Sequence, residues 1–321
     1  MATHAQAPEF ALARRRIARP GDLALRGVAG LAVLIAALTI VLLVYEIFNN
    51  AWSSISAFGL SFVTNTNWNV VTGAYGARYL ILGTLVTSLF ALVIAVPTAI
   101  AIGLFLSELA PKALRTPVGL MVELLAAIPS VVLGLWGILV LGPFLANDVE
   151  PWLHRNLGFI PLFGGYPSAV GVLPACLVLT IMVVPIVASI SRELFASVPG
   201  DLKSGALALG ATRWEMVRGV AIPQVSAGLV AGVMLGFARA VGEAIAVAQV
   251  IGSHNGSPIG SLFKPSGSLA AWIATQFNGT ATTMQRSSLY YLAVILLVIS
   301  LFSNLGAQLI VRRIRRRMGT I

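Results

Sequence analysis

Two residues deep in an apolar run could do chemistry: Arg239 and Glu243, within LGFARAVGEAIAVAQ. They are four apart, so a helix sets them on one face. At 1.5 Å per residue they stand roughly 20 and 27 Å from the start of the run. A charge at that depth costs about 2.5–3.5 kcal/mol on insertion scales, so both must face protein or water. Two chemistries fit. Either the pair is a structural lock, or the always-protonated fork of Arg239 serves a tetrahedral oxyanion in transit while Glu243 holds the guanidinium and keeps the empty site near neutral. Glu123, about 8 Å from the end of its own apolar run, is a weaker candidate that snorkelling explains.

The elements that carry these residues are membrane spans. Of the 321 residues 58% are hydrophobic and only 10% charged, with a mean hydropathy of +0.91, which excludes an ordinary soluble domain. Apolar runs long enough to cross about 30 Å of hydrocarbon as helix predict six spans, over 27–48, 80–106, 118–141, 169–190, 225–251 and 289–311. The expected fold is an all-α polytopic membrane protein. A basic start (1–26) precedes the spanning region (27–311), and a basic tail (312–321) follows it. The first run is too long for a signal-peptide core and is read as an uncleaved span.

Charge sets the expected orientation. With both termini cytoplasmic, the inner segments hold Arg14, Arg15, Arg16, Arg19 and Arg26, then Lys112 and Arg115, then Arg192, Lys203, Arg213 and Arg218, and finally five arginines within 312–317. The outer segments hold Arg78, Arg155, Lys264 and Arg286. Sixteen against four is the bias of the positive-inside rule, so the net charge of +10 is explained by orientation and anionic lipid without nucleic acid. Trp52, Trp68 and Tyr75 in the first outer connection suit an interfacial belt, or else a platform for an external partner.

Residues 198–223, VPGDLKSGALALGATRWEMVRGVAIP, interrupt the apolar pattern on the inner side. Pro199, Gly200 and Asp201 start a helix, and Gly210 stands where a left-handed stop belongs. Thr212 with Glu215 forms a capping box for a second short helix, and Pro223 opens the next run. The spacing predicts a cytoplasmic helix-turn-helix. Beyond it, Gly228, Gly232, Gly236, Ala240, Ala244 and Ala248 recur every fourth residue as a smooth ridge for close packing against a second membrane subunit or a neighbouring span. Pro97, Pro129, Pro174 and Pro185 sit inside apolar runs and predict bent helices.

The loop resembles the EAA loop of permease subunits in binding-protein-dependent, ATP-driven importers. Ser204, Gly205 and Ala206 stand at its Glu-Ala-Ala positions, followed by Gly210, Val220, Ile222 and Pro223. The glutamate and first alanine are replaced, while the Gly and Pro spacing is kept. Segments 83–111, 122–137 and 180–193, with Phe237–Ala246 (FARAVGEAIA), are similar to the phosphate-specific permeases. Trp136-Gly137 leans toward their C-type subunit, although Asn69-Val70 stands where Asn-Pro is expected. This resemblance implies that Ser204, Gly205, Ala206, Gly210 and Pro223 couple to an ATPase and that Arg239 and Glu243 line the substrate path. The implied partners are a second related permease, two ATPase subunits that bind the ATP, and an external phosphate-binding protein, with no cofactor in this chain.

No GxxxxGK[ST] loop occurs, Lys203-Ser204 lacking both glycines, so ATP binding by that route is not expected here. His4, His154, His254 and the lone Cys176 have no metal-ligand spacing, and no nucleophile, base and orienter group is readable. The expectation is a non-enzymatic permease for phosphate. An importer of molybdate or sulfate and an ion-coupled secondary transporter are the rivals; the latter calls for inverted repeats with paired broken helices.

Overall fold

The computed structural model describes residues 20–252 and 260–317. Arg14, Arg15, Arg16, Arg19, His4 and His254 lie outside the described residues. Among those described, regular structure is helical except for one isolated bridge between Asn69 and Ala74. Six helices are long and apolar enough to cross a membrane: Ala24–Phe58, Arg78–Leu109, Ser130–Leu157, Val172–Ala196, Arg213–Gly242 and Thr283–Ile314.

The chain divides into two units, Met1–Asn49 and Asn50–Ile321. In the first, Leu31, Val33, Leu34, Ile40 and Val41 are all more than half exposed, as apolar residues on a lipid-solvated helix are. The second is built around the fourth span, Val172–Ala196, the most buried of the six. Ala91, Ala95 and Ala99 of the second span pack with Ala175, Val178, Leu179, Val183 and Val187 of the fourth. Gly103 continues that four-residue row, and a Cβ there would stand 2.6 Å from Ser191 Cβ. Small residues at this spacing let the two backbones approach closely.

Pro97 and Pro185 lie inside the second and fourth spans, and four other prolines shape the helices through wide turns. Four wide turns with i→i+5 bonding occur at Phe105–Leu109, Gly137–Leu141, Leu145–Val149 and Val217–Ala221. Each ends two residues before a proline: Pro111, Pro143, Pro151 and Pro223. A proline lacks the N–H for its i−4 carbonyl, and its ring collides with that carbonyl. Widening the preceding turn moves the carbonyl aside, which lets the third and fifth spans continue through Pro143, Pro151 and Pro223.

Two expected boundaries are corrected. The predicted third span over 118–141 breaks at Ile128 and Pro129, which are extended (ψ 126° and 138°). A residue preceding proline is pushed out of the helical region, so Lys112–Ala127 ends as a separate helix with Leu120, Met121 and Leu124 exposed. The crossing helix runs Ser130–Leu157, taking in residues assigned by the sequence to an outer connection. The fifth span also shifts. The second loop helix, Arg213–Met216, runs without interruption into Ile222–Gly242, and the helix stops at Gly242 rather than reaching Ile251.

Trp68 and Tyr75 form neither a belt nor a platform. They are 9% and 1% exposed, with ring centroids 5.1 Å apart, and Trp272 lies 5.9 Å from Trp68. Phe62 stacks on Tyr291 at 4.4 Å beside them. Edge-to-face aromatic packing gives this polar connection a core of its own. Trp52, 65% exposed, does suit an interface.

Candidate functional site

Arg239 stands in the last turn of Ile222–Gly242. Glu243 lies just past the helix end, with φ −71° and ψ 116°, and the short helix Ile245–Val250 follows. The sequence expectation of one continuous helix carrying both charges is therefore corrected, yet the break keeps them adjacent. Arg239 Nη2 and Glu243 Oε2 are 3.8 Å apart, an ion pair longer than a hydrogen bond. Glu243 Oε1 accepts from the Ala246 amide at 3.3 Å, which anchors the carboxylate to the start of the short helix. Glu243 is buried at 8% while the Arg239 side chain is 49% exposed. One charge is fixed by protein and the other is presented.

Arg239 is presented to a cavity of about 120 Å³. Leu125, Ala126 and Ile128 at the broken helix line one side, Leu133 of the third span and Met182 and Ile186 of the fourth the others. The only formal charge on this lining is the guanidinium. The other residues on the lining are apolar in type, so the guanidinium supplies the charged donors an anion would meet there. The Ile128-Pro129 break supplies part of the wall, and periodicity did not reveal it; Pro129 in an apolar run was the available signal.

The glycine ridge sets the height and rotation of Arg239. A Cβ on Gly228 would lie 2.6 Å from Leu194 Cδ2, one on Gly232 2.9 Å from Ile190 Cγ2, and one on Gly236 2.9 Å from Val183 and Val187 methyls. All four partners belong to the fourth span, so this part of the ridge packs on a neighbouring span. Ala244 and Ala248 lie beyond the helix break and do not extend it.

The loop forms a second candidate site. Ser204, Gly205 and Ala206 lie on the helix Gly200–Ala208, where Ser204 Oγ donates to Gly200 O at 2.9 Å. Gly210 has φ +88°; its amide donates to Leu207 O at 3.0 Å and the Ala211 amide to Ala206 O at 3.2 Å, the two bonds of a Schellman stop. Thr212 and Glu215 form the reciprocal capping box. Val198, Met216 and Val217 pack with Phe195, Val225 and Leu229, with Ala206 against them. Sequence reasoning missed the contact that pins the first loop helix: Lys203 Nζ donates to Glu108 Oε1 at 2.6 Å and to Phe195 O at 3.0 Å. Leu202, Leu207, Leu209 and Trp214 remain 47%, 42%, 91% and 63% exposed, a patch of the kind that marks an interaction surface. Pro223 is exposed at the far end of the unit.

Glu123 does not merely snorkel: its Oε1 accepts from Arg192 Nη2 at 2.8 Å. Among the described residues no group of three His, Cys, Asp or Glu is placed to hold a metal ion.

A polytopic helical bundle with a charged recess within its spans and a capped helical loop at one end defines a membrane permease component. Residues 99–316 match the family described as binding-protein-dependent transport system inner membrane component, and the chain belongs to that family. It is thus a multi-pass inner-membrane protein of a binding-protein-dependent ABC transporter. It is similar to the phosphate transport system permease protein PstC of Haemophilus influenzae, 43% identical over 291 residues that cover 89% of this chain and 90% of the relative. Similar too is PstC 1 of Mycobacterium tuberculosis, 39% identical over 328 residues, covering 94% and 97%. Among solved structures, a bacterial alginate ABC transporter chain shares the fold with a TM-score of 0.60 at 16% identity, covering 91% of this chain and 97% of that one. A MetNI methionine ABC transporter chain gives 0.52 at 20% identity, covering 77% and 96%.

Proposed function

We propose that this chain is the membrane-spanning permease subunit of an ATP-driven phosphate importer and that Arg239 contacts the anion during passage. Likeness along most of the chain to permeases named for phosphate supports the substrate. The observation that carries the role of Arg239 is its half-exposed guanidinium at a small recess, with Glu243 3.8 Å away and held by a backbone amide. A tight bidentate lock would consume the donors; this loose pair leaves them for a ligand.

ATP is bound by two partner ATPase subunits, which dock on Ser204, Gly205, Ala206, Gly210 and the exposed leucines and Trp214 of the loop. A related permease completes the pathway, and an external binding protein delivers phosphate. Both termini are cytoplasmic, in keeping with the distribution of basic residues. None of these roles makes the chain itself an enzyme.

The test is ATP-dependent uptake of labelled phosphate by the complex reconstituted in proteoliposomes, with arsenate, sulfate and molybdate as competitors. Arg239→Gln is expected to abolish uptake with assembly near normal. Arg239→Lys should rescue poorly, since an ammonium keeps the charge and loses the fork. Parental uptake by the Gln variant, normalised to assembled complex, would mean that Arg239 is scaffold; sulfate or molybdate competing as well as phosphate would change the substrate.

A further inference from the structure

A second basic recess lies at the loop-bearing end of the bundle, apart from Arg239. Ser107, Arg115, Thr116, Glu123 and Arg192 contribute to the lining of a cavity of about 420 Å³, ample for a tetrahedral oxyanion. Arg115, Gly119 and Glu123 fall every fourth residue on the helix Lys112–Ala127 and so share one face. Arg192 reaches in from the end of the fourth span and lies across that row. Its Nη1 is 2.5 Å from where a Cβ on Gly119 would stand, so the guanidinium is seated in a notch that any side chain would fill.

The donors are only partly used. Arg115 gives its Nε to Ala110 O at 2.9 Å, which orients the fork and leaves its terminal nitrogens without a partner among the described residues. Arg192 gives Nη2 to Glu123. Arg192 is seated at Gly119 and Arg115 stands one helical turn away on the same face, so both guanidiniums border the one cavity and can address a single anionic group from two sides. The carboxylate discriminates. Beside it, a ligand oxygen must carry a proton to donate to Glu123, which inorganic phosphate or a phosphomonoester monoanion can do and sulfate cannot.

We propose that Arg115, Arg192 and Glu123 form a binding site for a proton-bearing phosphate group, supplied either by free inorganic phosphate or by a phosphomonoester lipid headgroup. The site does not depend on the substrate or role proposed for Arg239. A ligand here would brace the helix Lys112–Ala127 against the second and fourth spans, whose ends hold Glu108 and Phe195, the partners of Lys203 in the loop.

The experiment uses the assembled complex in nanodiscs, without binding protein, carrying Arg239→Gln so that the pathway adds no signal. One arm measures equilibrium binding of labelled inorganic phosphate in phosphatidylcholine discs. The other measures retention of phosphatidic acid against phosphatidylglycerol by native mass spectrometry. Arg115→Gln, and Arg192→Gln paired with Glu123→Gln so that no charge is stranded, are expected to weaken one of the two probes about tenfold or more, the scale of a lost charged hydrogen bond. Loss in the first arm identifies free phosphate, and loss in the second a headgroup. Should the paired variant fail to assemble, the exposed Arg115→Gln decides alone. Unchanged binding of both probes overturns the proposal, as does sulfate displacing labelled phosphate as well as unlabelled phosphate does.

Discussion

Gly210 offers a sharp test of how the loop is held, because its strain and its space can be separated. Its φ is +88°, and a Cβ there would meet nothing within 4 Å. Any penalty on substitution must therefore come from the backbone. A side chain in the left-handed region costs roughly 1–2 kcal/mol, which shifts the closed-to-open ratio of the loop by about 5- to 30-fold. Asparagine tolerates that region through local hydrogen bonding, alanine less well, and valine, branched at Cβ, least. The expected order of damage is Gly210→Asn, then Ala, then Val. Hydrogen exchange at the Ala211 and Met216 amides reads it directly, since they donate to Ala206 O at 3.2 Å and Thr212 O at 2.9 Å across the turn and second helix. Faster exchange in that order, with ATPase subunits lost on purification in parallel, is the predicted result. Equal exchange in the Asn and Val variants would refute the conformational argument; normal ATPase retention and uptake by Gly210→Val would refute the docking role.

Other perturbations probe packing and charge. Gly236→Leu drives a side chain into Val183 and Val187 and should cost about 1–3 kcal/mol of stability, whereas Gly219→Ala, with nothing within 4 Å of its Cβ, should be silent; thermal unfolding of the purified protein compares them. Lys203→Met strands Glu108, only 12% exposed, and should destabilise the loop by about 1.5–3 kcal/mol, seen as faster exchange across the Gly200–Ala208 helix, with partial recovery when Glu108→Leu is added. Glu243→Gln keeps the oxygen that accepts from Ala246 and should reduce uptake less than Arg239→Gln does, because an orienting group is more replaceable than a contacting one; a larger loss would assign Glu243 the direct role.

The sequence alone determined the membrane class, the number of spans, the Gly210 stop and the Thr212–Glu215 capping box. Each depends on local quantities: a run long enough to cross hydrocarbon, a φ only glycine adopts cheaply, a side chain three residues from the amide it caps. Arg239 and Glu243 were legible for the same reason, since a charge in an apolar run is costly wherever it lies. What the tertiary structure decided was which apolar segment crosses and what each charge faces. The break at Ile128-Pro129, the extended backbone at Glu243 and the continuity of the fifth span through Pro223 all leave the hydropathy pattern unchanged. A proline can end a helix, bend it or be absorbed by a wide turn, and the neighbouring helices select among these. Likewise, Lys203 with Glu108 and Arg192 with Glu123 are 95 and 69 residues apart. No periodicity links residues that far along the chain; only the close packing of spans through alanine and glycine brings them together.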